Sequence, residues 1–305
     1  MKRQRPQDKI VEHAVGMAGV EAQKAGSITF SPRCTILATL PHSDPGDIPI
    51  FVRRNGGYAL SIEPGYNIRC DPPVCLGYPY GVLPRLILAW ITAEAVRTKS
   101  RVLGLGDSVA GFLREINLEK GSGPRGNFTR VRNQMERLFA SRITIHYEGE
   151  REGKGERKNE RIHVVARDCL WWDPKRPEDE QSQHAIIVLG EQFYQEIIDR
   201  PVPLDMRVIQ GLRRSSMALD IYSWLTYRMS YLKQETLIPW ASLHLQFGGD
   251  YTRVRAFKAK FLEHLIDVKE IYPHARFSIT DPKGLILFPS RPSVLPSPKT
   301  KKPKS

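Results

Sequence analysis

From Ser27 to about Ile68 the apolar residues come in short runs broken by turn-formers, the pattern of strands. The runs are Ile28-Thr29-Phe30, residues 35–40, residues 48–52 and residues 58–62. Asn55-Gly56 between the last two is a hairpin signal, because both residues accept the positive φ of a tight two-residue turn. Residues 72–79, bracketed by Pro72 and Pro79, read as a linker or turn. The period then lengthens. Leu86, Ala89, Trp90 and Ala93 fall at i, i+3, i+4 and i+7, the stripe of a helix packed on a core. Gly106-Asp107-Ser108 starts a second helix bearing Val109, Phe112, Leu113 and Ile116. A Gly- and Pro-rich loop at 121–126 leads to a third, over about 128–141, with Val131, Met135 and Leu138 inward. Strands are expected at 142–147 and 162–166, flanking a charged tip at 148–161.

The same order then recurs. Residues 184–189 are strand-like, and 191–199 form a short helix stopped by Pro201 and Pro203. Asp205 is placed to cap a helix running through Leu212. Ala218, Ile221, Tyr222, Leu225 and Met229 mark a long amphipathic helix. Pro239 opens a short helix to Phe247, Gly248-Gly249 makes a turn, and residues 251–268 form the next helix. Residues 276–280 and 284–288 make a hairpin around Asp281-Pro282-Lys283-Gly284, a strong turn string. The string Thr-Arg-Val-Arg heads the third helix of each set, at Thr129–Arg132 and Thr252–Arg255. Three helices and a hairpin, twice, is the element order of a winged helix-turn-helix. The fold class expected is therefore α+β, two tandem winged helix-turn-helix domains with flexible basic tails. Residues 1–26 are read as a mobile segment, 27–180 as the first domain with its leading strands, 181–290 as the second, and 291–305 as a disordered basic tail.

Charge adds a partner to this picture. The chain of 305 residues has a formal net charge of +13. Much of the excess lies at the ends: Lys2, Arg3, Arg5 and Lys9 against Asp8, then Arg291, Lys299, Lys301, Lys302 and Lys304 with no acid. Solvated tails are one reading, and sequence-independent contacts to a polyanion are the other. No apolar run approaches the ~18 residues of a membrane span, and the N-terminus lacks the apolar core of a signal peptide. A cytoplasmic protein is expected.

The two basic helices carry the candidate site. On the helix after Gly248-Gly249, Val254, Phe257, Phe261 and Leu265 form the inner face. The opposite face presents Thr252, Ala256, Ala259, Lys260 and Glu263, with Arg253 and Arg255 on its shoulders and Lys258 on the same helix. Small residues let a helix approach a major groove, while Arg and Lys reach bases or phosphates. In the first set, Thr129, Asn133, Glu136 and Arg137 point outward, flanked by Arg130 and Arg132, with Arg125 on the loop before. Glu136 weakens the phosphate argument there, so this helix is read as contacting DNA backbone or a second protomer. The bland alternative is a solvated basic face. Trp90, Tyr222 and Trp224 belong to core stripes, and Trp171-Trp172 to packing between the units.

Catalytic signals are missing. The loop 121–126 has the outer glycine spacing of a phosphate-binding loop but continues Asn127-Phe128 where Lys and Ser/Thr are needed. The histidines form no His-hydrophobic-His pair of the kind an origin nickase uses. Cys34, Cys70, Cys75 and Cys169 have no zinc-site spacing and read as reduced thiols. No catalytic residue, metal or cofactor is expected.

Several strings resemble plasmid-encoded RepA-type replication initiators. They are residues 39–45 (TLPHSDP), 90–98 (WITAEAVRT), 130–135 (RVRNQM), 201–205 (PVPLD), 218–228 (ALDIYSWLTYR) and 238–240 (IPW), and the likeness spans roughly residues 27–290. The resemblance implies a protein that binds repeated sites in duplex DNA at a plasmid origin, promotes opening of neighbouring AT-rich DNA, and recruits the host initiator DnaA and helicase DnaB. It implies base reading by the helix at 251–260, and backbone or dimer contacts by the helix at 128–137, with a homodimer as a further expected state. A winged-helix repressor acting on its own promoter is the regulatory alternative, and an origin nickase or primase the enzymatic one.

Overall fold

The computed structural model describes residues 6–17, 20–106, 109–116, 118, 121, 126–151, 154–169, 185–249 and 251–295. The chain opens with helix α1 (Pro6–Met17), whose proline fills a first-turn position where no N–H is needed. Ile10, Ala14 and Met17 pack against the core, and His13 Nε2 lies 2.6 Å from the Arg207 carbonyl. The expectation of a mobile segment is corrected for these residues. Their i, i+4, i+7 spacing makes a narrow apolar stripe that the polar composition concealed.

Strand β1 (Ile28–Ser31) follows as expected. Residues 35–40 are not a strand. Pro32 caps a short helix, α2 (Arg33–Leu37), that buries Cys34 and Ile36. Strands β2 (Phe51–Asn55) and β3 (Tyr58–Glu63) form the hairpin signalled by Asn55-Gly56, with Asn55 opposite Tyr58. The expected linker at 72–79 instead contains β5 (Val74–Gly77), paired with β4 (Gly65–Asn67).

Helix α3 (Val82–Thr98) carries the first apolar stripe, and Trp90 packs edge-on against Phe112 at 5.0 Å. Strand β6 (Val102–Gly104), α4 (Val109–Glu115) and α5 (Asn127–Ala140) come next. Of the charged tip expected at 148–161, the described residues 148–151 and 154–161 are themselves sheet. Strands β7 (Arg142–Arg151) and β8 (Lys154–Ile162) pair from Ile143–Ile162 to Arg151–Lys154, and β7 also pairs with β3. Residues 162–166 are therefore not one strand: β8 ends at Ile162 and β9 (Val165–Cys169) begins a separate sheet.

Strand β10 (Ile186–Leu189), expected to open the second set, pairs with both β6 and β9. Its sheet order is β6-β10-β9, while the hairpin β7–β8 joins the sheet β2-β3-β7-β8. After α6 (Glu191–Asp199) come β11 (Val202–Asp205) and α7 (Met206–Leu212), where Asp205 accepts a hydrogen bond from the Arg207 amide at 2.9 Å. Helix α8 (Ser216–Met229), β12 (Thr236–Pro239), α9 (Trp240–Phe247), α10 (Val254–Ile271), β13 (Arg276–Ser278) and β14 (Gly284–Phe288) complete the chain. The last sheet has order β12-β14-β13. The run α3, β6, α4, α5, β9, β10 thus matches α8, β12, α9, α10, β13, β14, and in both the first strand pairs with the last.

The core is continuous from α2 to β14. Strand β1 pairs antiparallel with β11, and α1 contacts α7 and α10. Gln246 on α9 donates to the carbonyls of Ile36 and Leu37 at 3.1 Å, and Thr39 Oγ1 donates to the Gln246 carbonyl at 3.0 Å. Arg85 on α3 and His42 both reach the Asp220 carboxylate on α8. Residues 291–295, expected as the start of a disordered tail, are seated as well. Val294 is buried, Arg291 pairs with Glu21, and the Ser293 hydroxyl lies 2.9 Å from Tyr222 Oη. Among the described residues no helix is long and apolar enough to cross a membrane.

Candidate nucleic-acid interface

Helix α10 starts at Val254, three residues later than the apolar pattern indicated, so Thr252 precedes it and Arg253 is its N-cap. Phe257, Phe261 and Leu265 are buried as expected. The rings of Phe257 and Phe247 each lie 5.4 Å from that of Phe261, and Trp240 lies 6.1 Å from it. This aromatic cluster fixes the roll of the helix. Val254 is 40% exposed, against expectation, because a first-turn residue projects past the edge of the core.

The same roll turns Thr252, Arg253, Arg255, Ala256, Ala259 and Lys260 to solvent. No acidic residue occurs from Tyr251 to Leu262, and the positive end of the helix dipole lies at Arg253. Lys258 is half-buried, its ammonium 4.6 Å from the Trp240 ring centroid. Lys260 is exposed but pairs with Glu263 at 2.7 Å, and that hydrogen bond and charge raise its pKa. An exposed pair of this kind is worth little and yields readily to a phosphate.

What places this surface is the turn before it. Gly248 lies so close to His244 and Phe257 that a Cβ there would have no room. A Cβ on Gly249 would collide with the guanidinium of Arg53. Arg53, on β2, is 1% exposed, donates from Nε to Thr39 Oγ1 at 3.3 Å, and stacks over Phe51 at 4.6 Å. The β2–β3 hairpin therefore holds the entry to α10.

The first set differs. Arg130 on α5 is exposed, with Asn127 Oδ1 3.5 Å from its Nη1. Thr129 is half-buried, and Arg132 pairs with Glu136 at 2.9 Å. Arg137, expected to face outward, lies beneath the chain instead. Its Nη1 donates to the Tyr78 carbonyl at 3.2 Å and to Asp44 at 3.3 Å, and its guanidinium stands 5.3 Å from the Tyr80 ring centroid. The cause is the β4–β5 hairpin, which crosses this end of α5. Arg125 and the pair Trp171-Trp172 lie outside the described residues.

Sequence reasoning missed Arg53 and the cluster of Arg85, Asp220 and His42. A signal for the cluster existed: Asp220 interrupts the apolar face of α8, where a carboxylate survives only if paired.

Comparison with known proteins bears on the arrangement. Residues 78–241 match the family described as plasmid encoded RepA protein. A crystal structure of selenomethionine derivatives of domains 2 and 3 of RctB superposes with a TM-score of 0.52 at 14% identity, covering 85% of this chain and 99% of that one. A further crystal structure of RctB domains 2–3 gives 0.46 at 12% identity, covering 81% of this chain and 92% of that one. Comparison with curated proteins returns no match. At 14% identity the first RctB likeness is one of fold, an α+β arrangement whose element and strand order has been described above. The family match covers more than half of the sequence, and the protein belongs to the plasmid-encoded RepA family.

Proposed function

We propose that the protein is a plasmid replication initiator that acts by binding and deforming duplex DNA, without catalysis of its own. The observation that carries this reading is the head of α10, where Thr252, Arg253 and Arg255 stand exposed at a helix N-terminus held by a glycine turn. A helix end with positive charge and small neighbours suits a phosphate and an adjacent base edge. In this reading Lys258 and Lys260 add phosphate contacts, and Thr129, Arg130 and Arg132 on α5, with Arg125 before it, supply a second grip. Arg137 braces α5 instead of touching DNA.

The matched element and strand orders support a reading as two winged-helix units, the first closing with β10 and the second running from α8 to β14. In this reading the first unit extends past 180 to Leu189, the end of β10. Residues 27–189 are then the unit for backbone contact and dimerisation, and the second reads the site. Binding repeated sites at the origin, opening of adjacent AT-rich DNA, and recruitment of the host initiator DnaA and helicase DnaB complete the proposal.

Footprinting on the DNA that flanks the gene tests it. Regularly spaced protection of direct repeats, abolished by the double replacement of Arg253 and Arg255 with Ala, supports the reading. Protection confined to the promoter would make the protein a repressor, and no protection would remove DNA binding altogether.

A further inference from the structure

On α5 the residues Arg130, Asn133, Arg137 and Ala140 fall at i, i+3, i+7 and i+10, a single face of the helix. The second half of that face is met by the β4–β5 hairpin. A Cβ on Gly65 would collide with Ala140, and one on Gly77 would stand 3.2 Å from the Arg137 guanidinium carbon. Two glycines at the base of the β4–β5 hairpin thus let its backbone lie directly on the second half. The base of the hairpin is thus seated on the C-terminal half of α5.

Its tip has unusual chemistry for a surface loop. Ile68 is 82% exposed, more than any other large apolar residue among the described ones, and Tyr66 is 57% exposed. Arg69 is exposed and has no carboxylate within ion-pair distance among the described residues, although Asp71 stands two positions on. The turn is preset, since Asn67 Oδ1 accepts the Arg69 amide at 3.1 Å. A short β-ribbon presenting an isoleucine beside an arginine is the equipment with which architectural proteins part a base step from the minor groove. A second copy of this chain fits less well. The few apolar side chains at the tip fall far short of the ~800 Å² per partner of a stable protein interface.

We infer that the β4–β5 hairpin is an accessory DNA arm, with Ile68 as a wedge against a base step and Arg69 on the neighbouring backbone. The inference rests on the proposal that α5 lies against a duplex. It explains why an early segment of the chain is laid over a helix otherwise placed for DNA.

The test uses the full-length protein and the fragment it protects in footprinting, labelled at both ends for energy-transfer measurement of bending. Ile68→Ala is expected to reduce the bend and to lower affinity roughly tenfold. Arg69→Ala is expected to lower the salt dependence of binding by about one phosphate contact. Val15→Ala, also at an exposed apolar residue, serves as the control and should change neither. Circular dichroism checks that each variant folds. Wild-type binding and bending in both hairpin variants would overturn the inference while leaving DNA binding intact. Loss of self-association in sedimentation, with DNA binding unchanged, would overturn it too, because the tip would then be a protein contact. Failure of the wild type to bind any DNA would instead sink the proposed function, and the arm with it.

Discussion

Arg85 holds Asp220 through both carboxylate oxygens, Nε to Oδ1 at 2.7 Å and Nη2 to Oδ2 at 2.6 Å. Its remaining N–H groups go to the carbonyls of Leu40, Pro41 and Gly81. All five donors of the guanidinium are used. One residue therefore ties α3, α8 and the segment at 40–41 together at a point where both side chains are only 10% exposed.

Arg85→Met strands the Asp220 carboxylate in the core. Loss of one partner of a buried pair costs about 3–5 kcal/mol, and urea denaturation should show a loss of that size. The double replacement Arg85→Met with Asp220→Leu should recover much of it, since no charge is then left buried. A single variant as stable as the parent would mean that water reaches the pair.

Acid should loosen the same junction in two stages. Burial lowers the His42 pKa below its ordinary value, outweighing the hydrogen bond that Nε2 makes with Asp220. The buried Nδ1 has no partner, so a proton added there would be uncompensated. A group with a depressed folded pKa favours the native state above its unfolded value, about 6.5 for histidine. Stability should thus fall as pH drops below that value, and His42→Gln should remove this part of the slope. Burial alone would raise the Asp220 pKa, but Arg85 and His42 outweigh it and hold it below its ordinary value. Its contribution is lost only below about pH 4. Thermal melts between pH 7 and pH 3 separate the two.

Arg253→Ala should weaken DNA binding by about 1–3 kcal/mol and relax preference at one base pair if the guanidinium reads a base. An equal loss on every sequence, with a shallower salt slope, would make it a phosphate clamp. Binding isotherms on site and non-site DNA at several salt concentrations distinguish these outcomes.

Arg137→Ala and Arg130→Ala should fail in different ways. Arg137 joins Asp44, Tyr78 and Tyr80, so its loss should lower the melting temperature. Arg130 is exposed, so its loss should spare stability and reduce DNA affinity. Reversed results would exchange their roles.

Gly249→Ala tests the seating of α10. The added methyl collides with Arg53, and overpacking of this kind costs about 1–3 kcal/mol. Proteolysis near residue 249 should accelerate, and DNA affinity should fall with it.

Long amphipathic elements were legible in the sequence. Helices α5, α6 and α8 lie within a residue or two of where the apolar stripes put them. The strand expected at 142–147 lies within β7, but the outer part of β7 and most of β8 were not legible, because their Glu, Lys and Arg leave no apolar period. Strands β6 and β12 were too short to register, although their pairing with β10 and β14 defines the repeated order. At the candidate site, the wheel correctly turned Arg253 and Arg255 outward. It misplaced Arg137 because the residues that cover it, Tyr78 and Asp44, come from an earlier stretch of chain. A helical wheel knows only its own helix.

The seating of α1 against α7 and α10 has a consequence for biosynthesis. Helix α1 gains α7 only once residue 212 has been made, and its α10 surface only after residue 271. Until then the apolar stripe of α1 is only partly covered, and β1 waits for β11. Such distant pairings pay loop closure before they are rewarded, so they form late and slowly. The nascent polypeptide is thus fastened, at residues 6–17, by a helix translated far later, like a parcel whose inner fold is held by an outer flap.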